Sequence, residues 1–441
     1  MLKTNSGHIF GHNLDIGGDM PGMVFINNRG EQKRGQTWEQ LTSIDFNTEP
    51  GMSWVSNYGS VTFNAFGREL PDGGMNEKGL FVWEMSGTTT FDTVKYRPRL
   101  FMAQWIQYQL DNFNSVDEVL KNLSSIGLDG WNWQFFIADK QGNSAGIEFN
   151  DGVAIVNTKN NMPIPLMCNG RYSDDLSFIN EFDGFGGNIK VDLSDKDLPG
   201  IVKGAKMIDD YDGSESIVDY GFNILEHISE KVSKWAIIFD VKNMTAHFRT
   251  TKYPDTKTFS IKSFDFSDNT SVKILNIQNA DLSGDVQTDF IDFNEKDHLK
   301  LVTEVTGKLY ENGDFEISKD TLINRLATAY QNYNRGIIKE IDGTWTGFAE
   351  YPTMGELAKV DWKINIKNLD GKIVGKITDS AGLLTDTEMQ NIIFKNGILR
   401  FTVYSHGYVF RISAIVNNSG IEGIFDISDE SRKGNFYVQK N

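Results

Sequence analysis

The sequence predicts an α+β protein in two parts: sheets layered with helices over residues 1–333, then an antiparallel β-barrel or sandwich over 341–441. Three observations carry this reading. Strand-like and helical runs come in blocks, in the order sheet, helices, sheet, helices, which suits a layered α+β sandwich better than singly alternating βαβ units. From Ile341 the helical period disappears, and short alternating segments recur between turns at roughly 8–12-residue spacing. A chain of 441 residues also exceeds the roughly 250–300 at which single cores stop growing.

The opening run, 6–16 (SGHIFGHNLDI), reads as a strand ending in His12, Asn13 and Asp15, and 22–28 (GMVFINN) as a second strand closed by the Asn28-Arg29-Gly30 turn. Residues 53–66 alternate imperfectly around Gly59, giving two short strands or one bulged strand. Asp-Gly-Gly and Asn-Glu-Lys-Gly turns in 71–82 lead into another. The period then switches: Leu100, Ala103, Ile106 and Leu110 form one stripe and predict a helix over 97–112. Ser115-Val116-Asp117-Glu118 is a capping box that opens a second helix.

Strands are expected at 133–138, 146–150, 153–158 and 165–169, then helices near 201–211 and 214–229. A hairpin follows, 234–241 and 245–250, joined by Lys242-Asn243-Met244. Residues 264–294 are acidic and irregular, and helices are expected at 295–310 and 318–333. The domain boundary is placed in a linker at 334–340, with strands at 343–349, 360–366, 373–377, 397–404, 408–415, 421–424 and 435–438 beyond it.

A formal net charge of −17 argues against nucleic acid and anionic membranes as partners, since binding phosphate needs a basic face. No apolar run approaches the ~20 residues of a membrane helix, so no membrane insertion is expected. Cys168 is the single cysteine, which excludes an intrachain disulfide. The start, MLKTNSGHIF, lacks a basic region followed by an apolar core. The protein is expected in the periplasm or secreted if a signal peptide precedes Met1, and in the cytoplasm if the chain is complete.

Familiar catalytic signatures are missing: there is no P-loop, no G-x-S-x-G elbow and no H-E-x-x-H. The six histidines (8, 12, 227, 247, 298, 406) lie far apart, and no metal site is expected.

Five stretches together carry a resemblance: GHNLD at 11–15, VFINNRG at 24–30, YGSVTFNAFGRELPDGGMNEKGL at 58–80, RPRLFMAQWIQYQLDN at 97–112 and KWAIIFDVKNMTAHFRT at 234–250. In order and spacing they resemble the choloylglycine hydrolase and penicillin V acylase family of linear-amide hydrolases, over most of residues 1–310. The resemblance implies a four-layer αββα N-terminal-nucleophile hydrolase sandwich; the all-β stretch beyond it, read from its strand spacing, is expected to be a lipocalin-like small barrel. It implies hydrolysis of a small-molecule amide by a first-residue Cys, with no metal or organic cofactor, and leaves room for a homo-oligomer.

Carried over by position, Asp15 falls on the family's Asp that holds the nucleophile and its amine, and Asn169 (in MCNGRY) on the Asn of the oxyanion or substrate site. His12 stands where the family has Arg, Ser86 lies near a variable second oxyanion position, and Gly200 replaces a second Arg. If His12 substitutes for the Arg, its titration should lower activity between about pH 6 and 8. The family's Cys falls a few residues ahead of Leu2, so a preceding segment bearing it is expected. Thr4 and Ser6 lack the free amine a nucleophile of this class needs, and Cys168 reads as a small buried hydrophobe. Trp83, Trp131, Trp133 and Phe135 are candidates for an acyl pocket, although core packing is the better expectation for each. The substrate is open among bile-salt conjugates, phenoxyacyl penicillins and N-acyl homoserine lactones. The alternative is a catalytically inactive protein that binds a small apolar ligand or a partner through its C-terminal β domain.

Overall fold

The computed structural model describes residues 1–4, 7–15, 20–43, 52–91, 98–229, 233–313, 315–330, 341–352, 357–369, 372–395, 398–417, 420–427 and 432–440. The linker expected at 334–340 lies outside them. By Cα packing the chain forms two compact units, Met1–Gly35 with Trp54–Val305, and Gln36–Ser53 with Thr306–Asn441.

The first unit holds two large sheets. One has six strands in the order Leu2–Thr4, Gly7–Asp15, Ser233–Asp240, Thr245–Thr250, Lys257–Ser260, Gly284–Asp285. The other has nine: Val153–Thr158, Ser144–Asn150, Trp133–Ala138, Phe81–Ser86, Gly73–Asn76, Ser60–Asn64, Met23–Asn27, Lys273–Asn276, Ile291–Asp292. Their facing sides interdigitate aromatic rings, with Phe10 on Phe81 at 5.1 Å and Phe63 against both Phe239 and Phe248 at 6.0 and 5.7 Å. Alternation along the strands supplies this face, because residues two apart share a side of the pleat.

Helices cover the other sides. Gly200–Asp210 and Ile217–Ile228 bury Met207, Phe222 and Leu225 with Ile9 and Ile238 of the six-stranded sheet. Gly221 permits the close approach, since a Cβ there would sit 2.4 Å from Ile9 Cδ1. Met102–Asn112 lays Trp105 on Phe135 of the nine-stranded sheet at 4.4 Å. Each fully buried aromatic of this kind contributes about 1.5–3 kcal/mol.

Most expected elements are present, and the following differ for physical reasons. The helix expected over 97–112 begins at Met102, because Arg99–Phe101 pairs in parallel with Gly127–Asp129. The strand expected at 165–169 is an irregular segment that joins no sheet, the carbonyls of Pro165 and Cys168 being taken by the Met1 nitrogen and the Gln134 side chain. Within 264–294, Lys273–Asn276 is a strand beside Met23–Asn27, too short for its alternation to stand out in the sequence. In the capping box, Ser115 accepts from Glu118 N, whereas the Glu118 carboxylate accepts from Asn114 N.

The second unit is built on a nine-stranded antiparallel sheet in the order Thr387–Glu388, Lys372–Asp379, Leu357–Leu369, Gly343–Pro352, Arg432–Lys440, Gly420–Ile427, Tyr408–Asn417, Ile398–Ser405, Gln390–Lys395. The two edge strands, Thr387–Glu388 and Gln390–Lys395, are separated in the chain by Met389 alone, so the sheet curls nearly closed like a barrel. Its concave face is the core: Trp345, Trp362, Ile364, Phe401, Ile412, Phe425 and Phe436. The helix Lys319–Thr328, capped by Ser318, packs on this unit through buried Arg325, which donates to Glu422 at 3.0 Å.

Candidate functional site

One cavity of about 470 Å³ in the first unit collects most of the residues singled out in the sequence. Its floor is the strand Gly7–Asp15, which contributes Gly11, His12, Asn13 and Asp15. Trp83 and Met85 line it from the nine-stranded sheet, Cys168 and Asn169 from the irregular 165–169 segment, and Gly200 and His227 from the two covering helices.

The strand is held on one side by its ladder with Ser233–Asp240, which runs from Ile9 to Asp15. On the other side Leu2–Thr4 pairs with it only as far as Ile9, with Leu2 facing Ile9 and Thr4 facing Gly7. Among the described residues, the edge from Phe10 to Asp15 therefore has no strand on that side. The ladder ends at Asp15, whose Oδ1 accepts from the hydroxyl of its register partner Ser233. Asn13 donates to Leu225 O at 2.7 Å and ties the strand to the helix above it.

His12 lies over the Trp83 ring, with centroids 4.7 Å apart and planes at 27°. The ring is partly covered, but its Nε2 is enclosed without a partner. Burial pushes its pKa down to about 3, so the imidazole is neutral throughout pH 6–8. The expected loss of a proton from His12 in that range is corrected accordingly: this residue cannot supply the positive charge of an arginine, because the Trp83 face and the surrounding sheet desolvate it.

Asn169 is exposed at the cavity wall. The segment presenting it is fixed from behind by buried Gln134, which donates to Cys168 O at 2.6 Å and Gly170 O at 2.9 Å. Cys168 packs against the cluster of Ile179, Phe182, Ile201, Val202 and Ala205, as a small apolar side chain does. Nearby Asp175 has its carboxyl pushed up to about 6, by burial first and by Asp174 second.

Asp15, His12 and Asn169 thus share one cavity. Ser86 does not: it is exposed at the end of Phe81–Ser86, and its neighbour Met85 faces the cavity instead. Of the four aromatic candidates only Trp83 lines it, whereas Trp131 and Trp133 meet at a tilt with centroids 4.9 Å apart and Phe135 lies under Trp105. Sequence reasoning passed over Ser233, Gln134 and Asp175. Ser233 was within reach, because a strand extended one residue ahead of Lys234 puts it across from Asp15. Among the described residues no three His, Cys, Asp or Glu side chains are placed to hold a metal ion, and no helix is long and apolar enough to cross a membrane.

Two stacked sheets flanked by helices, with an acidic strand end opening on a cavity, define a layered α+β class of fold. Residues 1–198 match the family of linear amide C–N hydrolases, choloylglycine hydrolase family. Penicillin V acylase of Pectobacterium atrosepticum is 26% identical over 264 residues, covering 49% of this chain and 69% of that protein. Penicillin V acylase from Agrobacterium tumefaciens superposes with a TM-score of 0.57 at 20% identity, over 66% of this chain and 96% of the other. A variant of conjugated bile acid hydrolase from Clostridium perfringens gives 0.50 at 15% identity, over 63% and 96%. At these identities the structural likeness establishes the fold.

Proposed function

We propose that the first unit is a four-layer αββα N-terminal-nucleophile domain that hydrolyses a linear amide, with Asp15 and Asn169 as its catalytic groups and a small N-acyl compound as substrate. The observation that carries the reading is the strand edge beyond Ile9, along which, among the described residues, the Leu2–Thr4 strand does not continue. In the existing register each residue earlier in the first strand faces one later in the second, with Leu2 opposite Ile9. Carried on, the fifth residue ahead of Met1 faces Asp15, and Ser233 faces Asp15 from the far side. A cysteine in that place would bring its thiol and free amine to the carboxylate at the cavity mouth.

In this scheme the thiolate sulfur attacks the amide carbonyl carbon, and the C–N bond breaks as the cysteine's own amine passes a proton to the leaving nitrogen. Water then cleaves the thioester and returns the thiol. Asp15, aimed by Ser233, orients the amine, and the Asn169 side chain donates to the oxyanion. His12, neutral and stacked on Trp83, serves as a wall for the substrate. The test is mass spectrometry of a protein extended by a five-residue strand starting with Cys, after incubation with phenoxymethylpenicillin. An acyl adduct on the Cys supports the reading. An ordered Cys that forms no adduct with penicillin, bile-salt or homoserine-lactone amides contradicts it.

A second reading, an inactive hydrolase-like chain that binds a ligand through its lipocalin-like β unit, is favoured by a separate cavity of about 200 Å³ inside the barrel.

A further inference from the structure

That inner cavity has a definite chemistry. It lies at the end of the barrel where Gly343–Pro352, Lys372–Asp379 and Gly420–Ile427 finish and Tyr408–Asn417 begins. Five of the residues lining it are aromatic: Tyr351, Trp362, Tyr408, Phe410 and Phe425. All stand on the concave side, because each is an even number of residues along its strand from a buried core position. Trp362 packs against Phe425 at 4.9 Å, and Tyr351 meets the same ring edge-on at 6.3 Å. Rings wedged in this way are fixed in orientation before any ligand arrives.

Among the described residues the one acid lining the cavity is Asp379, and register fixes its place: it is the direct cross-strand partner of Trp362. Directly opposed residues of an antiparallel pair have Cα atoms roughly 4.5–5.5 Å apart. The carboxylate is held there by two backbone donors of the following turn, Leu383 N to Oδ1 at 3.0 Å and Leu384 N to Oδ2 at 3.1 Å. Each oxygen keeps a further lone pair, and among the described residues no lysine, arginine or histidine lines the cavity.

We propose that this cavity binds a small organic cation, an alkylated ammonium of about the size of choline. Aromatic faces attract a cation through the ring quadrupole, most strongly where water is excluded, and a wall of rings suits an ammonium whose methyl groups cannot hydrogen-bond. The anchored carboxylate adds attraction for that charge and disfavours a carboxylate or phosphate ligand. The volume suits a ligand of a few heavy atoms and excludes a lipid-sized one. The proposal does not depend on amide hydrolysis, since every residue it uses belongs to the second unit.

The experiment is isothermal titration of the full chain with choline, with 3,3-dimethylbutan-1-ol (a neutral compound of the same shape) and with acetate. Choline should bind at least tenfold more tightly than the neutral isostere, and acetate should not bind. Asp379→Asn should weaken choline at least tenfold and leave the isostere unchanged. Tyr351→Leu, which leaves the Asp379 turn intact, should also weaken choline at least tenfold, so the proposal stays testable if Asp379→Asn does not fold. Equal binding of choline and its isostere would overturn the proposal, as would no binding at millimolar choline, or choline binding that survives both substitutions in folded protein.

Discussion

The hydroxyl of Ser233 donates to the carboxylate of Asp15 across the last rung of a β ladder, at the mouth of the 470 Å³ cavity. Both residues end their strands, so the carboxylate is aimed by a neighbour that the backbone register supplies. Under the proposed function Ser233 is a positioning residue. In a protein extended to carry the N-terminal Cys, Ser233→Ala should lower kcat by roughly tenfold with little change in KM, within the ~10²-fold that a 1 Å misplacement can cost. Ser233→Thr, which keeps the hydroxyl, should restore most of it. A Ser233→Ala enzyme that loses KM instead of kcat would assign Ser233 to substrate binding.

His12 predicts a pH profile. Its imidazole is already neutral above about pH 3, so the profiles of kcat/KM for the extended protein and its His12→Gln variant should be parallel from pH 6 to 8. A step near pH 6.5 present in the first and absent in the second would mean that the ring takes up a proton in the site.

His298 predicts how stability follows pH. Its Nε2 accepts from Arg68 N at 2.9 Å, and burial, followed by the Arg68 charge, pushes its pKa down to about 3. The unfolded value is about 6.5, so between those values the unfolded chain binds more protons than the native one. The stability due to neutral His298 is complete above about pH 6.5 and is lost as pH falls toward 3, by at most about 1.4 kcal/mol per pH unit. Denaturant midpoints of the wild type and His298→Gln should therefore converge on acidification. Curves that stay parallel over that range would refute the assignment.

Lys33 predicts a strong packing effect away from the site. Its ammonium is fully buried against Glu69 Oε2 at 2.6 Å and Asp111 Oδ2 at 3.1 Å, and Asp111 also accepts from Trp54 and Gln107. Burial raises the carboxyls of both acids, Lys33 opposing it, and removal of the cation leaves two uncompensated buried acids. Lys33→Met should cost about 3–5 kcal/mol in urea unfolding. Adding Glu69→Gln and Asp111→Asn should recover much of it, and a single substitution costing under about 1 kcal/mol would contradict this account.

Where hydrophobic period and turn chemistry act locally, the sequence was readable. The hairpin around Lys242-Asn243-Met244 forms with Met244 at φ 54°, and the strands Trp133–Ala138 and Val153–Thr158 fall where alternation put them. The resemblance singled out Asp15, His12, Asn169 and Ser86, and the structure brings the first three to one cavity. Ser86 stays outside it, because alternation along Phe81–Ser86 turns Met85 inward and Ser86 outward. The 165–169 segment misled because its apolar residues read as a strand, while a distant side chain, Gln134, takes the carbonyls a neighbouring strand would have used. The short strand Gln390–Lys395 was missed for want of length, although it is what brings the barrel close to closure.

The central claim is that Asp15 serves a thiol and amine placed opposite it by the open strand edge. Its most direct measurement is steady-state hydrolysis of phenoxymethylpenicillin, glycocholate and an N-acyl homoserine lactone by the protein extended with a five-residue strand beginning in Cys. At least one amide should be cleaved, and Asp15→Asn should reduce kcat by ~10²–10⁴-fold while the fold persists. Turnover that Asp15→Asn leaves intact, or a folded extended protein with its Cys opposite Asp15 that cleaves none of the three, would contradict it.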